Sequence, residues 1–132
     1  MGITYKDSKE IKPEDISKVF MKSGIKRPYQ DLDRLERMIN NSDILITAWE
    51  DEKIIGMARA VTDYSYCCYL SDLAVDKDYQ KSGIGQHLIN RVREIIGEEC
   101  SLVLLAAPGA VEYYPKVGFT QTDKAFVIKR TK

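Results

Sequence analysis

Asp76-Lys77-Asp78-Tyr79-Gln80-Lys81-Ser82-Gly83-Ile84-Gly85 lies between a strand-like run, 66–75, and a helix-like run, 84–96, and its reading decides the fold. The upstream run ends in Leu73-Ala74-Val75. Downstream, Ile84, Leu88, Ile89, Val92, Ile95 and Ile96 recur on one helical stripe, with Gly97 where a C-terminal cap belongs. A helix start leaves N–H donors free at the positive end of the dipole, and glycine lets backbone approach an anion with no Cβ in the way. Gly83 and Gly85 meet that need. The spacing excludes two other phosphate loops: GxxxxGK[ST] is absent, and a dinucleotide fingerprint needs a third glycine where His87-Leu88 stands. A bare GxG is equally what a tight turn packing helix on sheet requires.

Working outward, 44–49 and 54–61 are apolar runs joined by the polar turn Glu50-Asp51-Glu52-Lys53, which predicts a β-hairpin. Pro13-Glu14-Asp15 suits a helix first turn and predicts a helix over 13–22. A second short helix follows behind a cap at Asp31, with Leu32, Leu35, Met38 and Ile39 at helical spacing. Beyond the central helix, 101–107 reads as a buried strand, 110–116 as two helical turns and 125–129 as a last strand. An antiparallel start followed by a β-α-β crossover predicts an α+β fold with a mixed, mostly antiparallel sheet and helices on both faces. No internal repeat or linker divides the 132 residues, so one domain over 1–132 is expected.

Composition narrows the function. Twenty Lys+Arg balance twenty Asp+Glu, giving no general attraction to nucleic acid or an anionic membrane. With 44% hydrophobic and 30% charged residues the chain is ordinary globular protein, without a membrane-length apolar run or a signal-like N-terminus, and a cytoplasmic location is expected. Cys67, Cys68 and Cys100 form no metal or disulfide pattern, and His87 is the only histidine, so no metal is expected.

Leu73-Ala74-Val75, the spacer and Gln80-Lys81-Ser82-Gly83-Ile84-Gly85 resemble the acetyl-CoA-binding segment of the GNAT N-acetyltransferase superfamily, Q/R-x-x-G-x-G/A. Ala110-Val111-Glu112-Tyr113-Tyr114-Pro115-Lys116-Val117-Gly118-Phe119 is similar to its second signature, a short helix ending in Tyr-x-Lys-x-Gly-Phe. The resemblance is strong over 66–119 and topological before that. It implies the acyl-CoA N-acyltransferase fold and acetyl-CoA as cosubstrate. Backbone N–H groups of 80–85 would cradle the pyrophosphate, and the main chain of Leu73, Ala74 and Val75 would pair with the pantetheine arm between strands 66–75 and 101–107, which would splay. Lys77 or Lys81 would reach the 3′-phosphate.

Amine attack on a thioester calls for an oxyanion donor, a base and an acid for the departing thiolate. By resemblance the donor is the N–H near Val75 and the acid is Tyr114. Reference values of about 10 for tyrosine and about 8.5 for a thiol put full proton transfer roughly 2 kcal/mol uphill, so part of the effect is hydrogen bonding. Packing against Phe119 is the competing role for Tyr113 and Tyr114. Asp72, near the end of the third strand, is the candidate base, directly or through water, with a hydrogen bond to backbone as its competing role; the glutamate used by some members is missing from 66–75, and Ala107 stands where many members carry asparagine. Tyr29 and Arg27 in the loop 23–29, with Arg59 on the hairpin, are the expected walls of the acceptor pocket, with either arginine positioned for an acceptor carboxylate or phosphate. The expected activity is acetyl transfer to a primary amine, on a small molecule or a peptide, in a direct ternary complex. The alternative is a catalytically silent acyl-CoA sensor. The resemblance also leaves a homodimer open.

Overall fold

The computed structural model describes residues 2–132. Five strands, β1 (Ile3–Asp7), β2 (Ile44–Glu50), β3 (Lys53–Thr62), β4 (Cys67–Val75) and β5 (Ser101–Val103), lie side by side in sequence order. The first four pair antiparallel and β5 joins β4 in parallel. Helix α3 (Ile84–Ile96) makes the crossover between them, because a parallel pair cannot be closed by a hairpin. This is the expected mixed sheet.

Two cores cover its two faces. Helices α1 (Pro13–Ser23) and α2 (Leu32–Asn40) bury Ile16, Val19, Phe20, Leu35 and Ile39 against Leu45, Ile54, Met57 and Ala74. On the other face α3 buries Ile84, Leu88, Ile89, Val92 and Ile96 against Ile44, Ile46, Ala48, Ala58 and Leu70. Strand β2 therefore sends alternate side chains into different cores, which explains its continuous apolar sequence. Glu14 and Asp15 lie in the first turn of α1, which ends at Gly24 in the left-handed region (φ 79°); Asp31 caps α2 by accepting the Arg34 N–H at 3.1 Å.

Four elements differ from the sequence reading. Strand β1 was not expected: only Ile3 and Tyr5 turn inward, and its partner β2 lies some forty residues downstream, so no local signal announces it. Strand β5 stops at Val103 because 104–107 diverge from β4. The segment 125–129 forms no strand; Phe126 and Ile128 are fully exposed, since the short β5 offers it no edge at that height. The 110–116 helix shortens to α4 (Tyr113–Lys116), preceded by a single 3₁₀ turn at Pro108–Ala110.

A bulge in β4 matters for the site. Arg59 pairs with Asp72 and Ala60 with Leu70, leaving Ser71 as an extra residue. Strand parity consequently reverses: Cys68 and Leu70 face α3, whereas Asp72 and Ala74 face the α1/α2 side. Among the described residues no helix is long and apolar enough to cross a membrane.

Candidate active site

Beyond Tyr69 and Val103 the parallel strands part, and a cleft of about 1020 Å³ opens between them. Leu73, Ala74 and Val75 line one wall and 104–107 the other; Tyr114, the loop after α1, and Lys129 and Arg130 close it. The N–H of Asp76 donates to Ile55 O at 2.8 Å on β3, so across the same planar peptide the Val75 carbonyl faces the cleft, where Gln80 Nε2 donates to it at 2.9 Å. Strand alternation turns the N–H of Val75 toward the same edge.

The turn after β4 begins at Asp76, whose side chain accepts the Asp78 N–H at 2.9 Å. Lys81 (φ 69°) and Gly83 (φ 86°) both occupy the left-handed region, and a Cβ at Gly83 would meet open space. The first backbone bond of α3 runs from the His87 N–H to Gly83 O at 3.0 Å, and no side chain caps the helix. The amides before His87 thus point out of the helix start, at its positive end. Gly85 is close-packed: a Cβ there would lie 2.5 Å from the Tyr113 hydroxyl. Ile84 is a core residue whose side chain packs on the α3 face of the sheet, so only its backbone is free for a ligand. Lys81 and Ser82 are exposed; the Ser82 hydroxyl donates to Tyr79 O. Lys77 lies across Gly24 at the C-terminal end of α1, where its charge meets the negative dipole end.

Tyr114 lines the cleft and is also packed edge-on, its ring centroid 5.4 Å from Phe119 and 5.2 Å from Tyr113. Packing and cleft exposure therefore coexist in one residue. Burial pushes its phenol above the ordinary tyrosine range, Tyr113 adding and Arg27 opposing.

Asp72 is placed otherwise than a base requires. Its side chain is wholly buried, Oδ1 accepts Arg27 Nε and Oδ2 accepts Arg59 Nε, each at 2.5 Å, and it does not line the cleft. The bulge at Ser71 aims it into this clamp. Arg27 further donates to Ser71 O and Lys26 O, both at 2.8 Å, and Arg59 to Ser71 Oγ at 3.0 Å. Arg27 and Arg59 line the cleft, whereas Tyr29 packs into the α1/α2 core with its carbonyl accepting the Ser17 hydroxyl. Arg34, Lys129 and Arg130 also line the cleft. They escaped the sequence reading because no local pattern distinguishes them from solvated surface charges.

Coenzyme A fits this arrangement by two observations: outward amides at the uncapped start of α3, and an unpaired β4 edge beside a cleft where the neighbouring strand diverges. A splayed sheet beside such a helix start defines the acyl-CoA-type α+β class of transferase folds. The chain belongs to the acetyltransferase (GNAT) domain family, whose family model matches residues 8–130.

An uncharacterised N-acetyltransferase, ycf52, of Pyropia yezoensis is 29% identical over 101 residues, 72% of this chain and 56% of that relative; the chain thus spans about half the length of this curated relative. Among solved structures, a probable acetyltransferase, SA2161, of meticillin-resistant Staphylococcus aureus superposes with TM-score 0.84 at 22% identity over 98% of this chain and 100% of that one. The PaiA N-acetyltransferase of Thermoplasma acidophilum, in complex with coenzyme A, superposes with TM-score 0.71 at 19% identity over 95% and 94%.

Proposed function

We propose that the protein is an N-acetyltransferase that carries acetyl from acetyl-CoA to a primary amine by direct attack in a ternary complex. The observation that carries this reading is a cleft lined by the Val75 main chain, Gln80 and the Tyr114 side chain, with the uncapped start of α3 following shortly after Gln80 in the chain. Bound there, acetyl-CoA supplies an activated acetyl thioester. The amides of 81–85 hold phosphate charge, and the edge of β4 at Leu73 and Val75 aligns the pantetheine arm as an added strand. The Val75 N–H faces the carbonyl oxygen, and Tyr114, protonated at neutral pH, donates to the departing sulfur.

Among the described residues lining the cleft none is a carboxylate or a histidine, so the amine proton leaves to water rather than to a dedicated base. On this reading kcat/KM rises with pH along the ionisation of the acceptor amine itself. Acceptors of lower amine pKa move the profile with them; a profile independent of the acceptor shows an enzyme base instead.

Calorimetric titration with acetyl-CoA, coenzyme A, ATP and NAD, followed by a thiol-release assay over a broad amine panel, tests the activity. Binding of acetyl-CoA with thiol release is the expected result. No binding of either coenzyme A species overturns it, and binding without turnover for any amine gives the silent sensor.

A further inference from the structure

We infer that the acceptor is a small primary amine that also bears an acidic group, carboxylate or phosphate, and that polycationic amines are poor acceptors. This rests on the acetyl-transfer reading and names its second substrate. The chain as a whole has equal numbers of acidic and basic residues, yet the cleft separates them. Lys26, Arg27, Arg34, Arg59, Lys129 and Arg130 line it, and among the described lining residues there is no Asp or Glu. Asp72 offsets only one of these charges, from a buried position behind the two arginines it holds.

The cations fall into two groups. Arg27 and Arg59 meet on Ser71 and Asp72, three residues along β4 from Val75, which is about 10 Å at ~3.3 Å per residue. That separates them from the proposed phosphate-holding turn, which begins beyond Val75 at the C-terminal end of the strand. Both guanidiniums are fixed: Asp72 takes each Nε, and Ser71 takes one further nitrogen of each. Their side chains keep 23% and 12% exposure, and each guanidinium carries five N–H donors, more than these bonds consume. A rigid fork loses little freedom when it binds an anion. Lys26, Lys129 and Arg130 are exposed around them and add long-range attraction. An ammonium entering this cleft meets like charge on several sides, unless the same molecule brings an anion to the arginines.

The test uses matched amines with the full chain and saturating acetyl-CoA: β-alanine against propylamine, phosphoethanolamine against ethanolamine, and spermidine and kanamycin as polycations. Thiol release is expected to show about tenfold or greater kcat/KM for the acid-bearing member of a pair, with the preference shrinking as salt rises. The two pairs tell carboxylate from phosphate. A Lys129→Ser, Arg130→Ser double variant changes exposed residues outside every helix and strand, so folding is spared. Its acceptor KM is expected to rise several-fold while its acetyl-CoA KM holds. Preference for the neutral or polycationic amines overturns the inference, as does coenzyme A binding with no turnover of either acid-bearing amine. A rise confined to the acetyl-CoA KM assigns these cations to the cofactor and overturns it too. Failure to bind coenzyme A in the calorimeter instead overturns acetyl transfer itself.

Discussion

The Tyr114 ring sits edge-on to Tyr113 and Phe119 while lining the cleft. Removing only its hydroxyl keeps that packing, so Tyr114→Phe should fold normally and lose kcat roughly ten- to a hundredfold, at the low end of acid catalysis, with little change in acetyl-CoA KM. Burial raises this phenol above the ordinary range, so it stays in the donating form through neutral pH. Any alkaline loss due to Tyr114 is therefore displaced upward from the ordinary tyrosine range, and a loss centred near pH ~8, where thiols titrate, points to another group. Asp72 is a structural residue on the present geometry. Asp72→Asn leaves two guanidiniums without their shared carboxylate, and breaking such a pair costs about 3 kcal/mol or more. A denaturant melt is expected to show that loss; a variant as stable as wild type would remove the clamp. By contrast, the Tyr79 phenol is pushed up to about 12, chiefly by its hydrogen bond to Glu50. Its raised value means that it stabilises the fold below the unfolded tyrosine pKa of about 10 and loses that contribution as pH climbs toward the folded value. Comparing Glu50→Gln with wild type across that window checks the coupling.

At the scale of elements, the proposed cofactor cradle is the start of α3. Gly56 on β3 brings it close: a Cβ there would stand 3.4 Å from Ile84 Cγ2 and 3.3 Å from Ala74 O. Gly83 turns the chain with φ 86° in otherwise open space, so Gly83→Ala meets no steric neighbour and costs only left-handed strain, ~1–2 kcal/mol. Relaxing that strain rotates the amides at the helix start. Acetyl-CoA affinity should fall several-fold while the melting temperature drops by only a few degrees; unchanged affinity would remove Gly83 from the cradle. Helix α3 and its glycine turn were legible because a 3.6-residue stripe and a cap are local properties. The bulge at Ser71 was not, because nothing in Ser71-Asp72-Leu73 marks which residue the facing strand will skip.

For the whole molecule, the direct ternary mechanism can be separated from a covalent acyl-cysteine route. None of the three cysteines lines the cleft: Cys68 is buried with its thiol pushed up by that burial, Cys67 is exposed and Cys100 half-buried. Cys67→Ala and Cys100→Ala are expected to keep most activity, and initial-rate plots should intersect rather than run parallel. The sequence by itself determined the main helices, the hairpin, the crossover and the glycine turn before α3, because each rests on periodicity or on residue chemistry within a short window. It also singled out Tyr114, through its signature, as a candidate, and the structure places that residue in the cleft lining. Tertiary structure alone decided that Asp72 is clamped, since its partners Arg27 and Arg59 are 45 and 13 residues away and a bulge sets which way it faces. It also decided that 125–129 finds no strand partner and that a chain with balanced charge gathers cations around one cleft. Strand pairing and charge placement are settled by neighbours distant in sequence, and those neighbours exist only once the sheet has formed.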